Sequence, residues 1–258
     1  DVCEVGGVCV QGTCLPWTGT SCADAGSPTW YRLNTLHIPT YTEANNGIAV
    51  GHNLDGTGSV CAVQDYTGEV DNSFIDVEEL VSLLHAEQPS LQDEISAALA
   101  CPVDGSGCRR LDLLVRIATG AGCAEVTIED GAGATLAGPF AVSRDGAGNL
   151  DGRAFAFDFD IPFRTDAGAV SVPVNLSHVI FTGTITELGL EEVVIGGTLF
   201  EGAFEAMWWS LFAATGSVLT YDDVVAGFPH LLDVRTGGTC SASSVGLTAT
   251  GVPYTPAP

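Results

Sequence analysis

An acidic stretch at residues 52–74 carries most of the side chains whose types suggest chemistry. Glycines separate its carboxylate and amide side chains, so the backbone can wrap around a small ion. Hard cations such as calcium bind six to eight oxygen atoms at flexible distances. We therefore predict a calcium site with ligands among Asn53, Asp55, Asp65, Glu69, Asp71 and Asn72. The spacing is not that of an EF-hand, and the alternative is that these residue types gather here only because they favour turns.

Two other groups of side chains have types suited to catalysis or binding. Asp158 and Asp160 fall on one face of a predicted strand, about one pleat repeat apart, as the paired carboxylates of a glycosidase would. In so acidic a chain, two carboxylates on a solvated face are the more ordinary explanation. Trp208 and Trp209 are neighbours on a predicted helix, so one of them is expected at the surface. An exposed Trp often contacts a sugar, a lipid or another protein, and the alternative is partial burial under a loop.

The tetrapeptide N-L-D-G occurs at residues 53–56 and again at residues 149–152. A second cation site formed by Asp145, Asn149 and Asp151 is one interpretation of this repeat. The preferred interpretation is a hairpin turn that precedes the strand at Phe155.

Motifs of several common enzyme classes are absent from the sequence. There is no G-x-S-x-G nucleophile turn and no H-E-x-x-H zinc motif, and the five histidines lack metal-ligand spacing. The glycine-rich segment at 131–138 has the wrong spacing for a phosphate-binding loop and lacks the following lysine. These absences argue against serine hydrolases of the α/β type, zincins and nucleotide-binding enzymes.

The charge of the chain limits its partners. The sequence has 32 acidic residues and 8 basic ones, all arginine, which gives a formal net charge of −24. Such a charge repels nucleic-acid phosphates and anionic membrane surfaces, and it favours divalent cations. Solubility in a salty or extracellular setting is the other explanation. Hydrophobic residues make up 46% of the 258 residues, which is enough for a sizeable core.

Nine cysteines, four of them within the first 22 residues, indicate disulfides and an oxidising compartment. The first 26 residues are too few to bury a core, so we predict a stapled arm at 1–26 and a β-rich domain at 27–258. The odd count leaves one thiol unpaired or bonded to another chain. The predicted disulfide cysteines are Cys3, Cys9, Cys14, Cys22, Cys101 and Cys108, and the last two bracket a tight acidic turn that a local bond would close.

The chain also carries signals about its location. No apolar run approaches the roughly 18 residues that a membrane-spanning helix needs, and no signal peptide stands at the start. We therefore expect a mature, exported product whose leader has been removed, located outside the cell or at the outer cell surface.

Apolar residues alternate with period two along much of the chain, which predicts mainly β structure. Helical spacing predicts helices near 74–100, with caps at Ser73 and Ser90, near 199–214 and at 221–232. The predicted strands lie at 30–38, 111–117, 126–128, 155–161, 170–176, 179–185, 193–199 and 244–250. Short glycine-containing turns join them, as in sandwiches and barrels. The predicted fold is an antiparallel β-sandwich or barrel-like domain with a few inserted helices and a small disulfide-stapled N-terminal segment.

Two parts of the chain resemble known groups of proteins. The C-x5-C-x4-C-x7-C spacing of the arm partly resembles EGF-like modules. Between residues 30 and 250, the order of N-L-D-G, D-Y-T-G-E-V-D-N, I-G-G and C-S-A-S-S-V-G-L resembles a group of secreted or lipid-anchored surface proteins of myxobacteria-like genomes. This resemblance implies the outer cell surface and a cation-stabilised β domain, and it implies no reaction. A chain that starts with Cys3 in third place departs from the lipoprotein pattern.

These observations favour a non-enzymatic extracellular or cell-surface domain, stabilised by calcium, that serves adhesion, self-assembly or ligand binding. The partner could be a second copy of the chain, another protein, a sugar or a lipid, and the sequence does not decide among them. One alternative is a secreted hydrolase acting on polysaccharide or ester, with Asp158, Asp160 or the loop carboxylates in catalysis. Another is an accessory subunit of a larger exported assembly. We expect no organic cofactor, no nucleic-acid partner and no transmembrane segment.

Overall fold

The computed structural model of the protein is mainly β, with strands accounting for 49% and helices for 24% of the structure. This confirms the predicted fold class. The residues that the structure describes are 7–10, 13–16, 22–46, 51–56, 61, 65–84, 89–102, 108–165, 168–215, 219–236 and 239–256.

The strands fall into a small hairpin and one large sheet. They are β1 (Gly7–Val10), β2 (Thr13–Pro16), β3 (Thr29–His37), β4 (Leu113–Thr119), β5 (Cys123–Asp130), β6 (Thr135–Arg144), β7 (Asn149–Thr165), β8 (Gly168–Ile185), β9 (Leu190–Phe200), β10 (Val234–Thr236) and β11 (Thr239–Tyr254). The hairpin consists of β1 and β2.

The large sheet closes on itself. From β3 to β9 each strand pairs antiparallel with the next. Strand β11 then pairs with β9 along residues 242–251 and with β3 along residues 248–254, while β10 pairs with its first residues. Because β11 has neighbours on both sides, the first and last strands of the sheet are joined and the domain is barrel-like. Of the two predicted architectures, the barrel-like one describes this closure.

The core lies on the inner face of the closed sheet. The rings of Phe140 on β6 and Phe181 on β8 meet there edge to face, with centroids 5.9 Å apart. Along β7, the residues Phe157, Phe159 and Ile161 are buried while the residues between them are exposed or half-buried outside the core. This is the period-two pattern expected when one face of a strand packs on a core.

Five helices cover the ends and flanks of the sheet within the described residues. They are α1 (Tyr41–Asn45), α2 (Phe74–Leu84), α3 (Leu91–Leu99), α4 (Glu201–Thr215) and α5 (Tyr221–Gly227). The predicted Ser90 cap is confirmed, because its side chain and that of Asp93 form a capping box. Pro229 starts a short 3-10 turn after α5, so the predicted helix at 221–232 ends early. No helix in the described part of the chain is both long and apolar enough to cross a membrane.

Two strand predictions need correction, and strand β6 was missed. Residues 170–176 and 179–185 belong to the single strand β8, which continues through a distortion at His178. There the backbone φ is 51° and the buried positions change from even to odd numbers. Strand β6 lacks a sequence prediction, since its Gly138 and Pro139 are residues that usually end strands.

Three disulfides join described cysteines. The predicted local bond Cys101–Cys108 is confirmed. Cys22 also forms a disulfide, with Cys123 on β5 as its partner, and Cys61 of the acidic stretch is bonded to Cys240 on β11. Three such bonds are typical of an oxidising compartment.

The remaining predicted disulfide cysteines are Cys3, Cys9 and Cys14. Cys3 and the side chains of the other two lie outside the described residues. The backbones of Cys9 and Cys14 stand opposite each other across the β1–β2 hairpin.

Candidate functional site

The described residues of the acidic stretch, 51–56, 61 and 65–73, are hereafter called the acidic loop, and they lie across the face of β9 and β11 that points away from the core. Gly196 on β9 stands opposite Gly246 on β11 in the strand register. A Cβ atom on Gly196 would lie 2.8 Å from Cδ2 of His52, and a Cβ atom on Gly51 would lie 3.5 Å from the Cα of Gly246. The two strand glycines therefore give the loop a flat surface on which it can approach the sheet closely.

Asn72 forms hydrogen bonds with the backbone of β11 at a point where no neighbouring strand pairs with that edge. Strand β10 begins with Val234 opposite Ala242, and β3 ends with His37 opposite Thr248. Between them, the N–H of Gly246 donates to Oδ1 of Asn72 at 2.8 Å, and Nδ2 of Asn72 donates to the Gly246 carbonyl at 3.1 Å. A buried edge needs such partners because unpaired backbone groups are costly.

Asp233 and Ser73 provide hydrogen-bond partners for Ser243 and Ser244 in the same unpaired part of β11. The N–H of Ser244 donates to Oδ1 of Asp233 at 2.8 Å, and its hydroxyl donates to Oδ2. Ser73 N–H donates to the Ser244 hydroxyl at 2.7 Å. The Ser73 hydroxyl lies 2.8 Å from that of Ser243 and 3.2 Å from the Leu231 carbonyl oxygen.

The predicted role of Ser73 as a side-chain cap of α2 is wrong. The N–H of Asp76 donates to the backbone carbonyl of Ser73 at 3.0 Å. The Ser73 hydroxyl instead forms buried hydrogen bonds with the Leu231 carbonyl and the Ser243 hydroxyl.

Asp71 is the most perturbed carboxyl group of the loop. Its side chain is 3% exposed. Oδ2 accepts hydrogen bonds from the N–H groups of Leu54 at 2.6 Å and Asp55 at 3.3 Å. Burial, followed by the negative charge of Asp233, raises the pKa of Asp71 to about 8. Asp71 is therefore mostly protonated at neutral pH.

Asp233 holds the second perturbed carboxyl group. Burial raises its pKa to about 6, although hydrogen bonds from Ser244 and Ser73 act in the opposite direction. The effect of the Asp233 charge on Asp71 shows that the two groups are electrostatically coupled. Asp71 comes from the acidic loop and Asp233 from the chain before β10, so the fold brings together residues 162 positions apart (233 minus 71).

Both carboxyl groups line a cavity of about 530 Å³ between the acidic loop, α1, α2 and the 3-10 turn. We call it the acidic cavity. Its charged and aromatic lining residues are Asp65, Asp71, Asp76, Asp233, His230, Tyr41 and Tyr66. Arginine is not among the described lining residues, so His230 is the one candidate for a positive charge there.

The wall of the cavity formed by α1 and α2 combines aromatic rings with a further carboxylate. The rings of Tyr41 and Tyr66 meet edge to face with centroids 6.0 Å apart, and Tyr41 is 54% exposed. Burial raises the pKa of Asp76, while the charge of His230 lowers it. Burial, with a smaller effect of the Asp76 charge, raises the pKa of Tyr66.

The structure brings together only part of the predicted calcium ligand set. Asp65, Asp71 and Asn72 line the acidic cavity. Asp55 is close enough to raise the pKa of Asp71, and its Oδ2 is shielded from solvent.

The other two predicted ligands serve turns. Oδ1 of Asn53 accepts a hydrogen bond from the N–H of Gly56 at 2.7 Å. Glu69 is exposed in the turn between Tyr66 and Val70, where its φ is 62°. Their binding of an ion stays a prediction.

The carboxylates of the cavity are spread along its walls. Among the described residues, one group of three His, Cys, Asp or Glu side chains has all its ligand atoms within 4.8 Å of one another. That group is Cys22, Asp24 and Cys123, and its two cysteines form a disulfide. An ion in the acidic cavity would therefore need amide, hydroxyl or backbone oxygens to complete its shell.

The other predicted site residues lie elsewhere. Asp158 and Asp160 are both exposed on β7, and Oδ2 of Asp160 accepts a hydrogen bond from Ser171 at 2.6 Å. Burial raises the pKa of Asp158. Neither residue lines any of the three cavities described for this structure.

The tryptophan pair on α4 is divided as expected. Trp208 is 1% exposed, whereas Trp209 is 47% exposed and donates from Nε1 to Oε1 of Glu205 at 3.1 Å. A binding role for Trp209 stays a prediction.

The second N-L-D-G segment is the start of β7, and the preferred hairpin turn lies directly before it, at residues 145–148. Oδ1 of Asp145 accepts hydrogen bonds from the N–H groups of Ala147 and Asn149, both at 2.9 Å. These bonds hold the pKa of Asp145 below its ordinary value. Asp151 forms an ion pair with Arg153 at 2.7 Å.

Sequence reasoning missed Asp233, His230, Tyr41 and Tyr66 as site residues. Tyr41, His230 and Asp233 belong to segments with no unusual composition, and their distance along the chain from Asp71 hides their proximity to it. Tyr66 lies within the acidic stretch, where only the carboxylate and amide side chains were considered as ligands. A buried carboxylate between apolar neighbours, L-L-D-V at residues 231–234, was the one local signal for Asp233.

In comparisons with known proteins, no family model, curated protein or solved structure matches this chain.

Proposed function

We propose that this chain is an extracellular or cell-surface β domain that binds a cation in the acidic cavity. The observation that carries the proposal is that four aspartates and no arginine line one cavity among the described residues. Grouping carboxyl groups at a buried site raises the free energy of ionising them, and a bound cation lowers that free energy. The net charge of −24 adds a long-range attraction for cations.

Calcium is the ion that the sequence predicts, and it stays part of the proposal. Asp65, Asp71 and Asn72 supply oxygens from the acidic loop, and Asp76 and Asp233 supply oxygens from the opposite wall. Calcium accepts such mixed sets of carboxylate and amide oxygens. Binding would join the loop to α2 and to the segment before β10.

The biological role that fits these features is adhesion, surface assembly or ligand binding outside the cell. The three disulfides support an oxidising location. Membership of the surface-protein group that the sequence resembles is part of the same proposal. Trp209 provides an exposed aromatic side chain suited to a partner or a sugar.

A thermal unfolding scan with calcium and with chelator tests the proposal. We expect calcium to raise the melting midpoint, because a ligand that binds only the folded state stabilises it. Asp71→Asn should reduce the shift, since Asn keeps an oxygen for the Leu54 and Asp55 N–H groups but cannot become a carboxylate when the cation binds. Glu187→Gln, at an exposed turn, is the charge-matched control and should keep the shift. An identical midpoint with and without calcium would contradict the calcium proposal.

The alternative function is hydrolysis, and one observation favours it. The acidic cavity holds a carboxyl group with a pKa of about 8 beside one with a pKa of about 6. At neutral pH the first can donate a proton and the second can accept one, as acid–base catalysis requires. Turnover of polysaccharide or ester substrates that disappears in Asp233→Asn and persists in Asp158→Asn would support this alternative.

A further inference from the structure

We propose that the acidic cavity receives a primary ammonium group, carried by a free polyamine or by a lysine side chain of another molecule. The group would be held between the Tyr41–Tyr66 ring pair and the carboxyl groups of Asp71 and Asp76. This inference rests on the proposed function of the cavity as a cation site, and it names the class of cation.

The size of the cavity favours an organic cation. Small-molecule sites usually measure about 300–1,000 Å³, and this cavity measures about 530 Å³. A bare metal ion would fill a small part of that space. An alkyl ammonium group with its chain fills more of it and brings apolar surface that can contact Tyr66 and Val70.

The placement of the carboxylates fits an extended cation better than a point charge. No three acidic, His or Cys ligand atoms of the described cavity walls lie within 4.8 Å of one another. An ammonium group has three donors that point in different directions. It can therefore reach oxygens on separate walls without a compact coordination shell.

Asp71 presents one oxygen to the cavity. Its side chain is 3% exposed, and its two hydrogen bonds from the acidic loop both end on Oδ2. Oδ1 accepts no hydrogen bond from any described residue. Oδ1 is therefore the oxygen of Asp71 to which a ligand bound in the cavity could donate a hydrogen bond.

The tyrosine pair supplies the second half of the recognition. An aromatic face attracts a cation within about 6 Å of its centre. Tyr41 and Tyr66 line the same cavity as the carboxylates, and Tyr41 is exposed enough to meet a ligand at the entrance. The chain contains no lysine, so a lysine ammonium group in the cavity must come from another molecule.

Calorimetry on the full chain tests the inference by measuring the binding of cadaverine, N-acetyl-lysine amide and calcium. The salt concentration is about 150 mM, so that interactions with surface charges are screened. We expect both amines to bind at one site. Asp76→Asn should weaken amine binding at least about 10-fold, as expected for a lost charge-assisted hydrogen bond. Tyr41→Ala should weaken it about 2–5-fold, and Tyr41→Phe should retain it, because the ring and not the hydroxyl attracts the cation.

The outcomes separate this inference from the proposed function. Calcium binding without amine binding would overturn the inference and leave the cation site standing. Binding of neither would overturn both. Amine binding that is unchanged in Asp76→Asn and in Tyr41→Ala would place the amine elsewhere and overturn the inference. If the amines bind as expected, preference for the free diamine or for the lysine amide identifies the source, and Glu187→Gln controls for the loss of one surface charge.

Discussion

The side-chain amide of Asn72 is hydrogen-bonded to both backbone polar groups of Gly246, 174 residues further along the chain. The amide occupies the place that a neighbouring strand would take between the first residue of β10 and the last residue of β3. It therefore fastens the acidic loop to the sheet, and the loop carries Asp71 directly before it. The geometry of the acidic cavity depends on this contact.

Replacing Asn72 by Asp should destabilise the protein by about 2–4 kcal/mol. The substitution keeps the shape but sets a carboxylate oxygen against the Gly246 carbonyl, and it buries a charge without a partner. Urea unfolding measures the effect as a lower midpoint. Asn46→Asp, at an exposed helix end, is the matched control and should change stability by about 0.5 kcal/mol or less. Equal midpoints for the two variants would show that the hydrogen bonds between Asn72 and Gly246 do not stabilise the protein.

In chelator, the protein should lose stability as the pH rises from about 5 to 8.5. The pKa values of Asp71, about 8, and Asp233, about 6, lie above the value of roughly 3.9 for an unfolded aspartate. The folded state therefore holds protons that the unfolded chain has released, and stability falls with pH until each folded pKa is passed.

Thermal unfolding at several pH values measures this slope. Asp71→Asn should flatten it between about pH 6 and 8, because the residue no longer titrates. Glu187→Gln should keep the slope of the unmodified protein. A slope of opposite sign would show that the two aspartates are not the protonated groups described here.

Most strands of the large sheet and the Ser90 cap were predictable because their causes are local. Alternating Phe157, Phe159 and Ile161 identify a strand without reference to any partner. Ser90 and Asp93 identify a helix start within four residues. The hairpin at Asp145 follows from turn chemistry alone.

The cavity was predictable only in part because its causes are not local. The loop composition identified Asp71 as a candidate ligand. Its raised pKa depends partly on Asp233, which is distant in the sequence. Closure of the sheet depends on the pairing of β11 with both β3 and β9. For the same reason, the sequence identified Asn72 as a candidate ligand but did not predict that its amide is hydrogen-bonded to Gly246. The sequence shows that residue 72 carries an amide, but it does not show which group that amide contacts in the folded chain.

A methyl group on Gly196 should lift the acidic loop from the sheet. Its Cβ would lie 2.8 Å from His52, which is closer than side-chain carbons approach one another. We expect Gly196→Ala to cost about 1–3 kcal/mol, in the range of overpacked cores. Gly202→Ala on α4 meets nothing within 4 Å and should stabilise the helix slightly, by about 0.5 kcal/mol. The two midpoints measured together separate a steric effect at His52 from a general effect of alanine, and a neutral Gly196→Ala would refute the close approach.

The disulfide between Cys61 and Cys240 should matter more than that between Cys101 and Cys108. The first closes a loop with a sequence separation of 179 residues and the second one of 7 residues. By the chain-entropy relation, their removal as serine pairs should cost about 5 and about 2 kcal/mol. The first bond also holds the acidic loop against β11, so its loss should weaken cation binding in the acidic cavity, whereas loss of the second should leave binding intact. Denaturant unfolding and calorimetry on the two serine pairs measure both effects, and equal cation affinity in both variants would show that the loop keeps its position without the bond.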